Sequence, residues 1–234
     1  MDPHEHAEAP DDPVKFQEAI DAFRRRVPMT DDDFDQLSDD EKEFAFTVAG
    51  VAQAELVADA YEAVLRAIED GTDLDDFKAD VGEQLTESWG GEDPGQLENI
   101  FRTNVMGAYN AGRYAAATAP ELKRERPYWR METVDDSRQS DICQEVRDVC
   151  LPADHWWWQT HYPPLHYNCR DHVATLTKDQ AEDFGITSAP PNVQPLPGFG
   201  AAPSGGGMDW EPDLSDLPQP IASALDEDLT EGPD

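Results

Sequence analysis

The stretch NIFRTNVMGAYNAGRYAAATAPELKRERPYWRMETV, residues 99–134, holds the change of texture that decides the fold. Up to Ala119 its apolar residues recur at helical spacing. Phe101, Val105, Ala108, Gly112 and Ala115 share one face, and Arg102, Met106, Tyr109 and Arg113 share the face beside it. Pro120 stops that helix. From Pro127 the segment PYWRMETV is aromatic and β-branched with rough alternation, the signature of a strand. A helical first half therefore meets a second half built of strands, which is an α+β order.

Toward the N-terminus, the same helix begins near Pro94, and a third helix covers Leu74 to Trp89, stopping at Gly90 and Gly91. Before it a longer helix is expected from Asp40 to Glu69, with Ser38 or Asp39 as cap and Gly71 just past its end. Its apolar positions include Phe44, Val48, Val51, Leu56, Ala60, Val64 and Ile68. The segment VKFQEAIDAFRRRV, with Val14, Phe16, Ile20 and Phe23 in rough helical spacing, is a short helix candidate. Toward the C-terminus, DVCLP and DHVATLT are two further strand candidates. Between them HWWWQTHYPPLHYNC is too rich in proline and aromatics to be regular. The expected organisation is an acidic N-terminal segment over 1–39, a helical arm over 40–93 and a compact module over 94–188. In that module a small, mainly antiparallel sheet packs on the fourth helix. A Pro/Gly-rich, acidic and disordered tail follows over 189–234, with a short partner-induced helix around Ile221 to Leu229.

At 234 residues the chain has room for one ordinary domain, or for a helical half and a mixed half that share a core. A hydrophobic content of 38%, with 19 Pro and 15 Gly, points to much irregular structure. The formal net charge of −34 is unevenly spread: residues 1–100 carry 29 acids against 7 bases, whereas residues 101–150 carry 8 of each. Such a surface repels free duplex DNA and anionic membranes, which argues against direct DNA binding through the acidic half. Two readings of the acidity stay open: solubility in a high-salt host, and an arm for a partner. No apolar run approaches the roughly 20 residues that span a bilayer. The opening MDPHEHAEAPDD has neither a basic leader nor an apolar stretch, so the expected place is the cytoplasm or the inside of a particle.

Chemistry-bearing residues concentrate in residues 129–176. Cys143, His155, His161, His166, Cys169 and His172 fall within a stretch of 30 residues, and His166 and Cys169 are separated by two residues, a spacing that lets one turn present both to an ion. A zinc site would use Cys143, His166 and Cys169, completed by His161 or Asp136; the paired CxxC repeat of a strong zinc signature is missing. The plainer reading is that His166 and Cys169 hydrogen-bond and pack to fix a proline-rich loop, with Cys150 a small core residue. A catalytic pairing of Cys143 or Cys169 with His161 or His166 is chemically allowed, but nothing marks an oxyanion hole. That enzyme reading, a small hydrolase or transferase, requires a water-accessible pocket where Arg102, Asp136, His166 and Cys169 converge. A metal-binding regulator is a third class. No acid lies between Glu98 and Glu121, so Arg102 and Arg113 either edge a solvated face or reach for Asp135 and Asp136. A partly buried pair of that kind makes Arg102→Ala cost roughly 1–3 kcal/mol.

These residues resemble the phage Mu F-like (minor head, head-morphogenesis) family over about residues 95–203. The likeness rests on Arg102, Thr103, Ala108, Tyr109, Asn110, Gly112 and Arg113 on the helix and on Trp129 in the strand. Asp136, Arg138 and Cys143 follow, then the closing PPLHYNCRD with Pro164, His166, Asn168, Cys169 and Arg170, and a GFGAAP ending. Family members often carry further cysteines three residues before Cys143 and two after Cys169, where this chain has Ser140 and Asp171. The joint loss excludes a four-cysteine site and leaves a mixed site or a purely structural cluster. The resemblance implies a minor capsid component with no catalytic residues and no required cofactor. It would work with portal and with capsid or scaffold proteins in the virion or procapsid, and would be present in the host cytoplasm during assembly.

Overall fold

A computed structural model of the chain describes residues 15–38, 41–91 and 95–204, with 212, 214, 215, 217–219, 222, 223 and 225 beyond them. Helix α1 (Gln17–Arg24) leads to a two-residue strand β1 (Val27–Pro28) and a single turn α2 (Asp31–Phe34). A 3-10 turn (Glu41–Phe44) and strand β2 (Ala45–Phe46) follow, then α3 (Ala54–Asp70), α4 (Leu74–Ser88) and the long α5 (Gln96–Thr118). Pro120 ends α5 and also opens α6 (Pro120–Glu125), occupying the first helical position, where its missing N–H costs nothing.

The second half contains β3 (Tyr128–Glu132), α7 (Asp141–Val146), β4 (Cys150–Pro152), a 3-10 turn (Trp156–Gln159), β5 (His172–Leu176) and α8 (Lys178–Phe184). All three expected strands are present, joined in the order β4-β3-β5 with both pairings antiparallel. Trp129, at the centre of β3, sits opposite Leu151 on one side and Thr175 on the other. The architecture is the expected α+β.

One expected helix is shorter than its sequence suggests. The helix predicted over Asp40 to Glu69 begins only at Ala54. Ser38 does cap, since its hydroxyl accepts from the Glu41 amide and its own amide donates to the Glu41 carboxylate, but what it opens is a single 3-10 turn. The chain then extends so that Ala45 and Phe46 pair in parallel with Val27 and Pro28. Next, the Asp31 carboxylate accepts from Thr47 Oγ1 at 3.0 Å and from the Gly50 amide at 2.7 Å, while Gly50 takes φ +79°. A left-handed glycine tied to a remote carboxylate cannot continue a helix. Phe44, Val48 and Val51 are still buried, as their apolar character requires.

Two cores share α5 as their wall. The first contains Phe23, Phe46 and Tyr61, whose rings lie 4.9–5.8 Å apart, with Val57, Val64, Phe77, Leu85 and Ala108 around them. The segment expected as an arm over 40–93 is therefore packed on α5, and Leu225 of the tail is buried in the same cluster. The second core is aromatic: Trp129, Trp157, Trp158 and Tyr162 are fully buried with Met131 and Leu165. Tyr114 of α5 packs edge-on against Trp129 at 5.8 Å and Tyr162 at 5.0 Å. Because α5 is covered from two sides, its buried residues are not a single stripe. Ala115 of the expected apolar face is exposed, whereas Asn110 is fully buried. Residues 190–204 are irregular, as their composition predicts, yet residues 193–202 dock on the second core. The helix expected at Ile221 to Leu229 lies largely outside the described residues.

The tightest approach in the helical core is α1 crossing α5 at Gly112. A Cβ there would come within 2.6 Å of the Ala19 nitrogen and 2.8 Å of the Glu18 carbonyl carbon, both backbone atoms. Gly112→Ala is therefore expected to destabilise the protein by about 1–3 kcal/mol, despite alanine's better helix propensity. Gly107, where a Cβ meets only the Arg26 guanidinium at 3.6 Å, gives the opposite sign. Gly107→Ala should gain up to about 1 kcal/mol. Urea melts of the two variants check both, and equal shifts would show that the α1–α5 crossing is not close.

Candidate functional site

The proline-rich loop between β4 and β5 is held by backbone contacts before any side chain is considered. Tyr162 N donates to Gly200 O at 2.8 Å, Gly200 N to Pro164 O at 3.0 Å, and Leu196 N to Leu165 O at 3.0 Å. A segment that looks like a tail in the sequence thus straps the loop. His161 belongs to this strap and not to the cysteine cluster. Its ring stacks on Trp157 at 4.4 Å, and its Nε2–H donates to Val193 O at 2.8 Å, which corrects its expected place among metal ligands. The backbone carbonyl 32 residues downstream had no counterpart in the local pattern.

A polar stripe on α5 reads the other end of the loop. The Asn168 amide donates to Thr103 Oγ1 at 3.2 Å, the Asn168 side chain meets the Asn99 side chain, and Asn110 Nδ2 donates to Asp171 O at 3.0 Å. Positions 99, 103 and 110 fall on one helix face, so a single helix fixes both flanks of the turn. Asn168 adopts φ +57°, a conformation asparagine tolerates better than most side chains. Thr103, Asn110 and Asn168 thus contribute backbone recognition. Asn99, not singled out in the sequence, joins them, and its i, i+4 spacing to Thr103 was the only signal.

The arginines are partnered differently from expectation. Arg102 lies 2.6 Å from Glu98, one turn before it, with both side chains more than a third exposed, so neither Asp135 nor Asp136 holds it. A carboxylate on the same helix needs no loop to bring it near. Arg113 does not reach those carboxylates either; its Nη1 is buried without a hydrogen-bond partner among the described residues. Asp136 is instead gripped by Arg170, both of whose terminal nitrogens lie 2.6 Å from its oxygens, with the Arg138 amide adding a third bond at 2.9 Å. This fork, Arg170 first and then the Arg138 amide, holds the Asp136 carboxyl well below the usual carboxylate range. Asp135 pairs with Arg147 at 2.8 Å. Tyr109 stacks on Phe16, Trp129 is buried in the second core, and the Pro164 carbonyl accepts from the Gly200 amide.

Beneath the loop, Cys143, His166 and Cys169 converge, their ligand atoms all within 4.8 Å of one another. Ser140 caps α7 by accepting from the Cys143 amide at 3.1 Å, which sets the Cys143 sulfur 2.9 Å from His166 Nε2. The Ser140 hydroxyl also lies 2.8 Å from that nitrogen. Both cysteines are buried, as is the Asp171 carboxylate, whose Oδ2 has no hydrogen-bond partner among the described residues. Burial pushes the Asp171 carboxyl up. The hydrogen bond to the Cys169 sulfur, and then burial, hold the Cys143 thiol protonated above the usual thiol range, while Cys169 is drawn down as its acceptor. A small opening of about 190 Å³ above the cluster is lined by Ser140, Cys143, His166, Arg170 and Asp171 among others. Ser140 and Asp171, where the resemblance expects cysteines, thus both border it.

Residues 59–174 match the family model described as Phage Mu protein F like protein. A protein of Escherichia phage Mu named for capsid assembly, protein F, is 29% identical over 189 residues, covering 73% of this chain and 42% of its own length. The FluMu F protein of a Mu-like prophage in Haemophilus influenzae is 33% identical over 155 residues, covering 61% of this chain and 37% of its own. The chain spans less than half the length of these curated relatives. No solved structure matches.

Two substitutions on α5 should separate structural from peripheral roles. Asn110→Ala is expected to cost about 1–3 kcal/mol, because it strands the buried Asp171 carbonyl. Arg102→Ala, removing a half-exposed pair, should cost less than about 1 kcal/mol. Thermal melts check the ranking; a larger loss at Arg102 would overturn it. In an NMR titration, the Asp136 carboxyl should stay ionised through the range where ordinary carboxylates protonate, and Arg170→Met should return it to that range. Its folded pKa is depressed, so the pair's stabilisation is present at neutral pH and is lost as pH falls below the ordinary carboxylate range.

Proposed function

Because this chain belongs to the phage Mu F-like family, we propose that it serves head assembly in a tailed virus or prophage, as a minor capsid component acting at or near the portal. The observation that carries the reading is the match over residues 59–174, which spans α5, the sheet and the cysteine–histidine loop that pack as one module. One relative is named for capsid assembly, and both lie in phage Mu or a Mu-like prophage.

The role is one of shape. The residues shared with the family make backbone and ion-pair contacts inside the module: Thr103, Asn110, Asn168 and the Arg170–Asp136 fork. The opening above Cys143 and His166 leaves only about 10 Å³ for water-sized groups, far less than the roughly 300–1,000 Å³ of small-molecule sites. Arg102 does not line it, so the convergence that an enzyme reading requires is not met. The acidic outer faces of α3 and α4, with Glu55, Asp59, Glu83 and Glu87 exposed, are the surfaces for other head proteins. They disfavour direct contact with packaged DNA. No helix among the described residues is long and apolar enough to cross a membrane. The places that fit this role are the procapsid and virion, with passage through the host cytoplasm during assembly.

Co-expression with portal, scaffold and major capsid proteins of the same element tests the proposal. The chain should co-sediment with procapsids and be retained by immobilised portal. A variant carrying Glu55→Gln, Asp59→Asn, Glu83→Gln and Glu87→Gln should melt like the parent yet lose most of that retention. Procapsids that form normally and exclude the chain would sink the assembly role, and full retention of the variant would remove the acidic faces from it.

A further inference from the structure

Among the described residues, Cys143, His166 and Cys169 are the one group of His, Cys, Asp or Glu side chains whose ligand atoms gather closely enough to hold an ion. Each is set by its own local device. The Ser140 cap places Cys143 in the first turn of α7. The Cys169 amide donates to His166 O at 3.2 Å, closing a turn that puts His166 and Cys169 on the same side, with left-handed Asn168 inside it. His166 Nδ1 lies 2.7 Å from Tyr167 O, and a carbonyl can only accept, so Nδ1 carries the proton and Nε2 presents a lone pair toward the Cys143 sulfur. A backbone carbonyl that fixes the tautomer from the other ring nitrogen is the arrangement metal-binding histidines use. A further observation is independent of these three. Asp171 is 2% exposed, beside Cys143, with its Oδ2 meeting no hydrogen-bond partner among the described residues, and it lines the same opening.

We propose that this cluster is a zinc site in which Cys143, His166 and Cys169 are ligands and the Asp171 carboxylate, which lines the same opening but lies outside their 4.8 Å group, closes the set through one water. Zinc takes sulfur at about 2.3 Å and imidazole nitrogen at about 2.0–2.1 Å in tetrahedral array. Those lengths place neighbouring ligand atoms roughly 3.5–3.8 Å apart. The three donors, all within 4.8 Å of one another, span that range, and the Cys143–His166 separation of 2.9 Å opens slightly to admit the ion. Binding converts two thiols to thiolates and releases both protons to solvent, with no change of oxidation state. Two thiolates and a carboxylate leave the centre with one net negative charge, facing the Arg138 and Arg170 side chains on the rim. The site is structural: the ion pins the loop to α7, and the buried Asp171 oxygen gains its partner. His161, held by Trp157 and Val193, takes no part.

Purified full-length chain, reduced and equilibrated with excess Zn²⁺ and then desalted, should retain one zinc per chain by elemental analysis. Co²⁺ in its place should produce the visible bands of a tetrahedral ion and thiolate-to-cobalt charge transfer. Cys169→Ser and His166→Ala should abolish stoichiometric retention, and Asp171→Asn should weaken affinity by about 10–100-fold. Cys150→Ser, outside the cluster, should leave the stoichiometry at one. If a ligand variant does not fold, the parent still decides: Zn²⁺ should raise its melting temperature and a chelator should lower it again. Absence of retained zinc in folded, reduced parent protein, or a stoichiometry unchanged by Cys169→Ser, overturns the site. Neither result touches the assembly role, which is read by procapsid association.

Discussion

One helix has to satisfy two cores at once, and that constraint organises the molecule. At Gly112, α5 takes α1 so closely that no side-chain carbon fits. On the N-terminal side of Gly112, Thr103 and Asn110 hold the backbone of the turn that carries His166 and Cys169, and Asn99 meets the Asn168 side chain within it. Further on, Tyr114 and Ala117 complete the aromatic core around Trp129. The small and polar residues of α5 are what the geometry demands: larger apolar side chains would separate the two halves, and a wholly apolar face would leave the loop's amides and carbonyls without partners.

The electrostatics divide into contacts that build the module and contacts that only decorate it. The Arg170–Asp136 fork is bidentate, short and joined by a backbone amide, so its geometry is specific. It ties the turn after β3 to the strand that follows the loop. The Arg102–Glu98 pair is local, half-exposed and screened by solvent, and contributes little. Most of the net negative charge belongs to residues 1–100, with 29 acids against 7 bases, and it governs which partners can approach and not how the chain folds.

A module of this kind suits a protein whose work is to hold a shape within a larger assembly. Its three cysteines are buried. Cys143 is kept as a thiol by its surroundings, and His161 is spent on a backbone carbonyl. The outer surface offers charge and a few exposed aromatics such as Trp156 and Tyr167. Rigid interior and charged exterior are the division expected of a subunit that recognises other subunits.

The α+β order, the three strands and the helices near 74–89 and 96–118 were legible, because hydrophobic period, caps and proline stops are local properties. The Thr177–Gln180 capping box of α8 and the Ser140 cap of α7 were equally local signals that an irregular-looking context obscured. Three features could not be read that way. The break before Ala54 depends on Asp31 reaching Thr47 and Gly50, the partner of Asp136 is Arg170 and not an arginine of α5, and His161 faces Val193 and not the cysteines. Each is a choice among chemically equivalent partners. Sequence alone determined which groups needed a partner; only the packed chain, by bringing distant segments within hydrogen-bond reach, decided which partner each received.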